Sequence, residues 1–253
     1  MNRKIAIITG ATAGIGYETA QLLAQNSYNL ILTGRRKDRL ETIKKQLEES
    51  FDCKTYILNF DIRNKSETEK AMNSLPENWK AIDVLINNAG LAAGLAPVNS
   101  ADVDDWEAMI DTNVKGLLYI TRIVSPWMIE RKTGHIISIS SIAAKEIYPN
   151  GSVYCGTKHA VAAISRAMRI ELMPHGIKVS TIAPGAVDTE FSLVRFRGDE
   201  DRAAQVYKGF MPLSGKDIAE TILFVLSRPA HVNIDDLLIM PTAQASARDF
   251  NRN

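Results

Sequence analysis

Ser141, Tyr154 and Lys158 occur at the spacing Ser-x12-Tyr-x3-Lys within SSIAAKEIYPNGSVYCGTKHAV. A helix through the second half of this stretch stacks Tyr154 and Lys158 on one face, because residues four apart are neighbours there. An ammonium beside a phenol favours the phenolate. Bringing a tyrosine from ~10 to ~7 takes about 4 kcal/mol of differential interaction. One unit charge ~4 Å away, at an effective dielectric of ~20, supplies roughly that much. Tyr154 is therefore expected to exchange a proton with an alcohol or carbonyl oxygen near neutral pH, while Ser141 hydrogen-bonds and orients the same oxygen. Alone, Tyr-x3-Lys also describes many solvated helical pairs. Its weight comes from three further motifs that precede it along the chain.

The first is KIAIITGATAGIG at the N-terminus. A short apolar run, Ile5 to Ile8, reads as a buried strand, Gly10, Gly14 and Gly16 follow, and a helical pattern continues through Ala20, Leu22, Leu23 and Ala24. Strand, glycine turn and helix make a phosphate site: the helix N-terminus presents unpaired N–H groups, and the glycines admit a pyrophosphate to the backbone. The second motif is TGRR, residues 33–36, at the end of the apolar run Leu30–Leu32. An acid at this strand end would accept from the 2′-hydroxyl of NAD, whereas arginine accommodates a 2′-phosphate. Arg35 and Arg36 stand there with no acid, which predicts NADP(H); the plainer alternative is that both arginines solvate the start of the next helix. The third motif is DVLINNAG, residues 83–90, whose asparagines can tie neighbouring loops through backbone bonds while Gly90 allows close approach to a ligand.

These motifs need a frame that brings them to one edge. Strand-like runs fall at 4–9, 29–33, 54–59, 82–87, 134–140, 177–182 and 236–240, with helical patterns at about 15–26, 37–50, 65–74, 103–131, 152–173 and 216–227. The alternation predicts a single-domain α/β fold over residues 1–253, a Rossmann-type doubly wound parallel sheet of about seven strands with helices on both faces. Right-handed crossovers then gather the C-terminal strand ends, and the motifs with them, at one crevice. Ser140 and Ser141 adjoin, and on a strand they point to opposite faces, so only one suits the role.

TGATAGIG, NNAG, the Asn113 of DTNVKG, Ser141, Tyr154-x3-Lys158 and the PGAVDT stretch at 184–189 together resemble the short-chain dehydrogenase/reductase family, across essentially the whole chain. The resemblance implies a catalytic tetrad. Tyr154 would be the acid/base and Ser141, picked out by the family spacing, would orient the substrate oxygen. Lys158 would lower the tyrosine pKa and hold the nicotinamide ribose, and Asn113 would position a water that links Lys158 to solvent. It implies cofactor contacts from Gly10, Thr12, Gly14, Ile15 and Gly16, from Asp61 and Ile62 beside the adenine, from Asn88, Ala89 and Gly90 near the ribose, and from Pro184, Gly185, Val187 and Thr189 around the nicotinamide amide. One departure is Ala13, where many NADP-preferring members carry a basic residue, so the expected preference rests on Arg35 and Arg36. Finer runs (TGRRKDRL, NNAGLAAGLAP, DWEAMIDTNVKGL, EFSLVRFRGD, PAHVNI) are similar to the NADP-dependent 3-hydroxy acid dehydrogenases, a subgroup that includes serine and L-allo-threonine dehydrogenases.

That similarity implies a small hydroxy or oxo acid as substrate, and hence a cation or polar donors for its carboxylate. The substrate loop expected at about 186–215 holds Arg195, Arg197, Arg202 and Lys208. Arg195 is the candidate carboxylate ligand; with Asp199, Glu200 and Asp201 alongside, a solvated loop face is the competing reading. Reduction of another carbonyl (a 3-oxoacyl thioester, a steroid, a xenobiotic) and a non-catalytic cofactor-binding sensor are the alternative functions.

Composition narrows the field further. A net charge of +1, from 30 basic and 29 acidic residues, gives no electrostatic footprint for nucleic acid. No apolar run approaches ~20 residues, so no membrane span is expected. Met-Asn-Arg-Lys runs straight into a strand, which leaves no signal peptide and suggests the cytoplasm. Cys53 and Cys155 form no disulfide framework, and the four histidines show no metal-ligand spacing, so no metal is expected. The long helices at about 103–131 and 152–173 are candidate pairing surfaces for a homodimer or homotetramer, as the family resemblance implies.

Overall fold

The computed structural model describes residues 3–253. Seven strands form one all-parallel sheet: β1 (Ile5–Thr9), β2 (Asn29–Gly34), β3 (Thr55–Asn59), β4 (Ile82–Asn87), β5 (Gly134–Ile139), β6 (Ile177–Pro184) and, late in the chain, β9 (Asp236–Ile239). Their spatial order is β3-β2-β1-β4-β5-β6-β9. The order reverses between β1 and β4, and the crevice at such a switch point is where ligands bind in open α/β sheets. The fold is the one expected.

Alternation along each strand explains the two cores. In β1, Ala6 and Ile8 face a cluster with Leu23 of α1 (Gly14–Gln25), Leu40 and Leu47 of α2 (Lys37–Ser50), and Ile218 and Ile222 of α9 (Gly215–Leu226). Ile5 and Ile7 face the other cluster, with Met72 of α3 (Lys65–Asn73), Ile120 and Val124 of α5 (Leu117–Arg131), and Val161 and Met168 of α6 (Ser152–Leu172). Strands covered on both faces carry near-continuous apolar runs, as IAIIT and NLIL do here.

Two segments differ from expectation. The single helix expected at 103–131 is three pieces: α4 (Val103–Ile110), a π turn at Asp111–Gly116, and α5. Widened turns of this kind occur at functional sites, and this one turns Asn113 inward, 2 % exposed. The expected substrate loop at 186–215 is largely regular. It contains β7 (Val187–Asp188) paired with β8 (Leu213–Ser214), and two short helices, α7 (Glu190–Arg195) and α8 (Glu200–Tyr207). Side-chain caps start both helices: Thr189 Oγ1 accepts from Phe191 N at 3.2 Å, and Asp199 Oδ1 accepts from Arg202 N at 3.0 Å. Capping residues inside a charged run read as loop until the turn that follows them is known to be helical.

Candidate active site

The glycine turn leaves β1 in backbone that side chains resist. Gly10 and Gly14 have φ of +66° and +52°, the left-handed region that favours glycine. A Cβ on Gly16 would lie 2.4 Å from Gly10 O and 2.5 Å from Asn88 Nδ2. The start of α1 has no side-chain cap and no acid in its first turn, so its N–H groups are open to an anion. A pyrophosphate suits that cradle. Thr12, in the turn, accepts from Arg36 Nε and Nη2 at 3.0 and 2.7 Å. The Ile15 side chain packs against the first core cluster, which leaves its backbone at the start of α1.

Across the crevice, Asn88 Nδ2 donates to Thr9 O at 2.8 Å and Gly10 O at 3.2 Å, while Thr9 Oγ1 accepts from Asn88 N and Ala89 N at 3.0 and 2.9 Å. The asparagine thus ties two strand ends together, as its motif suggests. Thr9, its partner, was not singled out by the sequence; a hydroxyl at the last strand position before Gly10 was the available signal. Gly90 faces both Asn113 and Lys158, with its Cβ position 3.2 Å from Asn113 Oδ1 and 3.5 Å from Lys158 Nζ.

The expected tetrad converges. Ser141 follows β5, and its Oγ accepts from Ala143 N at 3.1 Å. Tyr154 and Lys158 sit one turn apart in α6, 7 % and 6 % exposed. Asn113 accepts from Leu91 N at 2.8 Å and donates to Leu91 O and Thr157 Oγ1 at 2.9 and 3.0 Å, which fixes the loop after Gly90 against α6. Ser140 is turned away, its Oγ toward Lys158 O at 3.4 Å.

The electrostatics differ from the simple pair of charge and phenol. Lys158 Nζ donates to Ile139 O at 2.9 Å and lies 5.9 Å from the Tyr154 ring centre. Burial pushes the Tyr154 phenol up, as does Tyr148, against smaller pulls downward from Ser141 and Arg195. Burial alone pushes the Lys158 ammonium down to about 8. Burial disfavours the charged form of each group and so opposes the expected lowering of Tyr154 by Lys158 in this arrangement.

Arg195, the last residue of α7, brings its guanidinium carbon 5.5 Å from the Tyr154 ring centre and donates through Nη2 to Tyr148 Oη at 3.1 Å. Phe191 stands 5.8 Å from the same ring. Tyr154 and Arg195 line a cavity of about 30 Å³ with Trp106, Met109 and Val153, room for little more than a water in the conformation seen. Tyr148 joins this site without a motif to announce it. Arg197 pairs with Asp102 and Asp105, at 2.6 and 2.8 Å, both of which line the same cavity.

Arg35 is largely exposed, with Asp61 4.0 Å away. Asp61 is gripped by Arg63 at 2.6 Å, and Ile62 is buried against Gly116. Pro184 ends β6, Gly185 N donates to Ile239 O at 2.7 Å, and Val187 begins the small sheet. Thr189 lies over the glycine turn, its Cβ 3.1 Å from the position of a Gly14 Cβ. Among the described residues, no group of three or more His, Cys, Asp or Glu could hold a metal ion.

A switch-point crevice with an open helix N-terminus on one side and a buried Ser–Tyr–Lys set on the other defines a dinucleotide-dependent oxidoreductase. The chain belongs to the short chain dehydrogenase family, whose model matches residues 4–198. It is 46 % identical over 244 residues to the NADP-dependent 3-hydroxy acid dehydrogenase YdfG of Salmonella typhi, covering 96 % of this chain and 97 % of that one. It is 43 % identical over 241 residues to serine 3-dehydrogenase of Rhizobium radiobacter, covering 95 % of each. The closed form of a serine dehydrogenase complexed with NADP+ superposes with a TM-score of 0.92 at 43 % identity, covering 98 % of this chain and 100 % of that chain.

Proposed function

We propose that this protein is an NADP(H)-dependent dehydrogenase of small 3-hydroxy acids, interconverting a 3-hydroxyl and the matching 3-oxo carbon. The observation that carries the reading is Arg195 beside Tyr154 in a small cavity. A guanidinium is a matched partner for a carboxylate, and one placed this close to the phenol favours an acid over an uncharged thioester tail or a steroid. The similarity to the 3-hydroxy acid and serine dehydrogenases supports the same substrate class.

NADP(H), when bound, supplies or accepts the hydride. Arg35 and Arg36, just after β2, would hold its 2′-phosphate, and the first turn of α1 would hold its pyrophosphate. Ser141 hydrogen-bonds the reacting oxygen, and Tyr154 gives it a proton during reduction or takes its proton during oxidation. The raised phenol fits the donor role at rest. Negative charge on Tyr154 during oxidation is countered by the cation of Lys158. Asn113 holds the Leu91 backbone against Thr157, the residue before Lys158.

The working assembly is a homo-oligomer, dimer or tetramer, a reading supported by the exposed Val103, Ile110 and Leu118 on α4 and α5 and Ile170 on α6. Its place is the cytoplasm; no described helix is long and apolar enough to cross a membrane.

Initial rates with NADP+ and NAD+ on serine, allo-threonine, 3-hydroxyisobutyrate and simple secondary alcohols test the assignment. Turnover of 3-hydroxy acids with NADP+ is expected, with Tyr154→Phe losing about 10²–10⁴-fold while NADPH binding persists. Activity on bulky alcohols alone, or with NAD+ alone, would overturn the substrate or the cofactor.

A further inference from the structure

Arg36 does not wait unpaired for a phosphate. Its Nη1 donates to Glu190 Oε2 at 2.8 Å, and its Nε and Nη2 donate to Thr12. The other carboxylate oxygen of Glu190 accepts from Arg39 Nη1 at 2.6 Å. Burial alone would raise the Glu190 carboxyl, but the hydrogen bonds from Arg39 and Arg36 outweigh it and hold the group below its ordinary value. Beside this triad opens a cleft of about 430 Å³ lined by Thr12, Gly14, Arg39, Thr42 and Glu190. It runs along the glycine turn and between the starts of α1 and α2, where Tyr17, Asp38 and Ile43 also line it.

Glu190 is also the first residue of α7. The next residue, Phe191, touches the surroundings of Tyr154, and Arg195 closes the same helix against Tyr148 and Tyr154. One short helix therefore has its carboxylate end on the arginines after β2 and its guanidinium end on the reacting tyrosine.

We propose that Glu190 is a specificity-determining residue that shares Arg36 with the 2′-phosphate of the cofactor, tempering the preference for NADP(H) and linking it to the position of Arg195. This rests on the reading that Arg36 takes the 2′-phosphate. A dianionic phosphate arriving at Arg36 meets the Glu190 charge and displaces it; Arg39 then retains the carboxylate and keeps α7 tied down. NAD(H) brings no phosphate to that corner and is indifferent to Glu190.

The test measures dissociation constants of NADPH and NADH by nicotinamide fluorescence for the wild type, Glu190→Gln, Glu190→Asp and Arg36→Gln. Gln is nearly isosteric at a half-exposed side chain, so folding is preserved. In Glu190→Gln, NADPH is expected to bind about three- to tenfold more tightly with NADH unchanged, while KM for the hydroxy acid rises because α7 has lost its tie. Glu190→Asp, which keeps the charge, stays near the wild type. Parallel changes for the two cofactors, or an unchanged ratio, would overturn the role of Glu190 and leave only a structural ion pair. Arg36→Gln separates the two readings. If it weakens NADPH alone while Glu190→Gln leaves the ratio untouched, only the role of Glu190 fails. If it leaves NADPH affinity unchanged, the 2′-phosphate assignment of Arg36 fails as well.

Discussion

Arg195 and Tyr148 form a hydrogen bond of 3.1 Å between a helix that follows β7 and the loop that precedes α6, closing the space above Tyr154. The backbone reinforces the contact: Gly94 N donates to Arg195 O at 3.0 Å, and Arg195 Nε donates to Gly94 O at 3.3 Å. Two loops and a helix are thereby held at the reacting phenol.

That arrangement makes Arg195 separable from the chemistry. Arg195→Met, which keeps the stem and removes the charge, is expected to raise KM for a 3-hydroxy acid about 10–100-fold. Turnover at saturation should fall far less, and a neutral secondary alcohol of the same size should be little affected. Steady-state rates with the two substrates check this. An equal loss for acid and alcohol would mean that Arg195 holds loops together without touching substrate.

Gly16 tests the cradle. A methyl group there meets the Gly10 carbonyl at 2.4 Å, so Gly16→Ala must open the turn. A cost of about 1–3 kcal/mol and a fall in Tm of about 3–10 °C are expected, together with loss of NADPH affinity. Gly156, in α6 with nothing within 4 Å of its Cβ position, is the control. Gly156→Ala should leave binding intact and stabilise the helix by about 0.5–1 kcal/mol. Differential scanning fluorimetry with and without NADPH distinguishes the two.

His135, in β5, is buried with Nε2 2.8 Å from Ser180 Oγ, and burial, aided by the Lys178 charge, pushes its pKa down to about 3. The folded state holds it neutral while the unfolded chain protonates it below ~6.5. Its contribution is fully present above pH ~6.5 and is lost as pH falls through the window down to about 3. Between pH 6.5 and 4.5 the expected loss is about 2–3 kcal/mol. Urea unfolding of the wild type and His135→Gln at both pH values checks it: the variant should lose correspondingly less. Identical losses would show that other groups govern acid sensitivity.

Local rules made the frame and the tetrad readable in the chain itself. Strand runs such as IAIIT and LIL are apolar because both sheet faces are covered, the glycines of ATAGIG mark backbone that side chains resist, and a spacing of four puts Tyr154 and Lys158 on one helical face whatever surrounds them. These features depend on neighbours a few residues away, so the order of residues suffices. The rest depends on partners far along the chain. Arg195 reaches Tyr148 across 47 residues and Glu190 reaches Arg36 across 154, pairings that no local pattern encodes among so many surface charges. The π turn that aims Asn113 inward has the same local signature as ordinary helix. The proton affinity of Tyr154 divides the same way: a charge four residues away can be counted, but the loss of water around both groups is a property of the closed interior and arises only when the fold is complete.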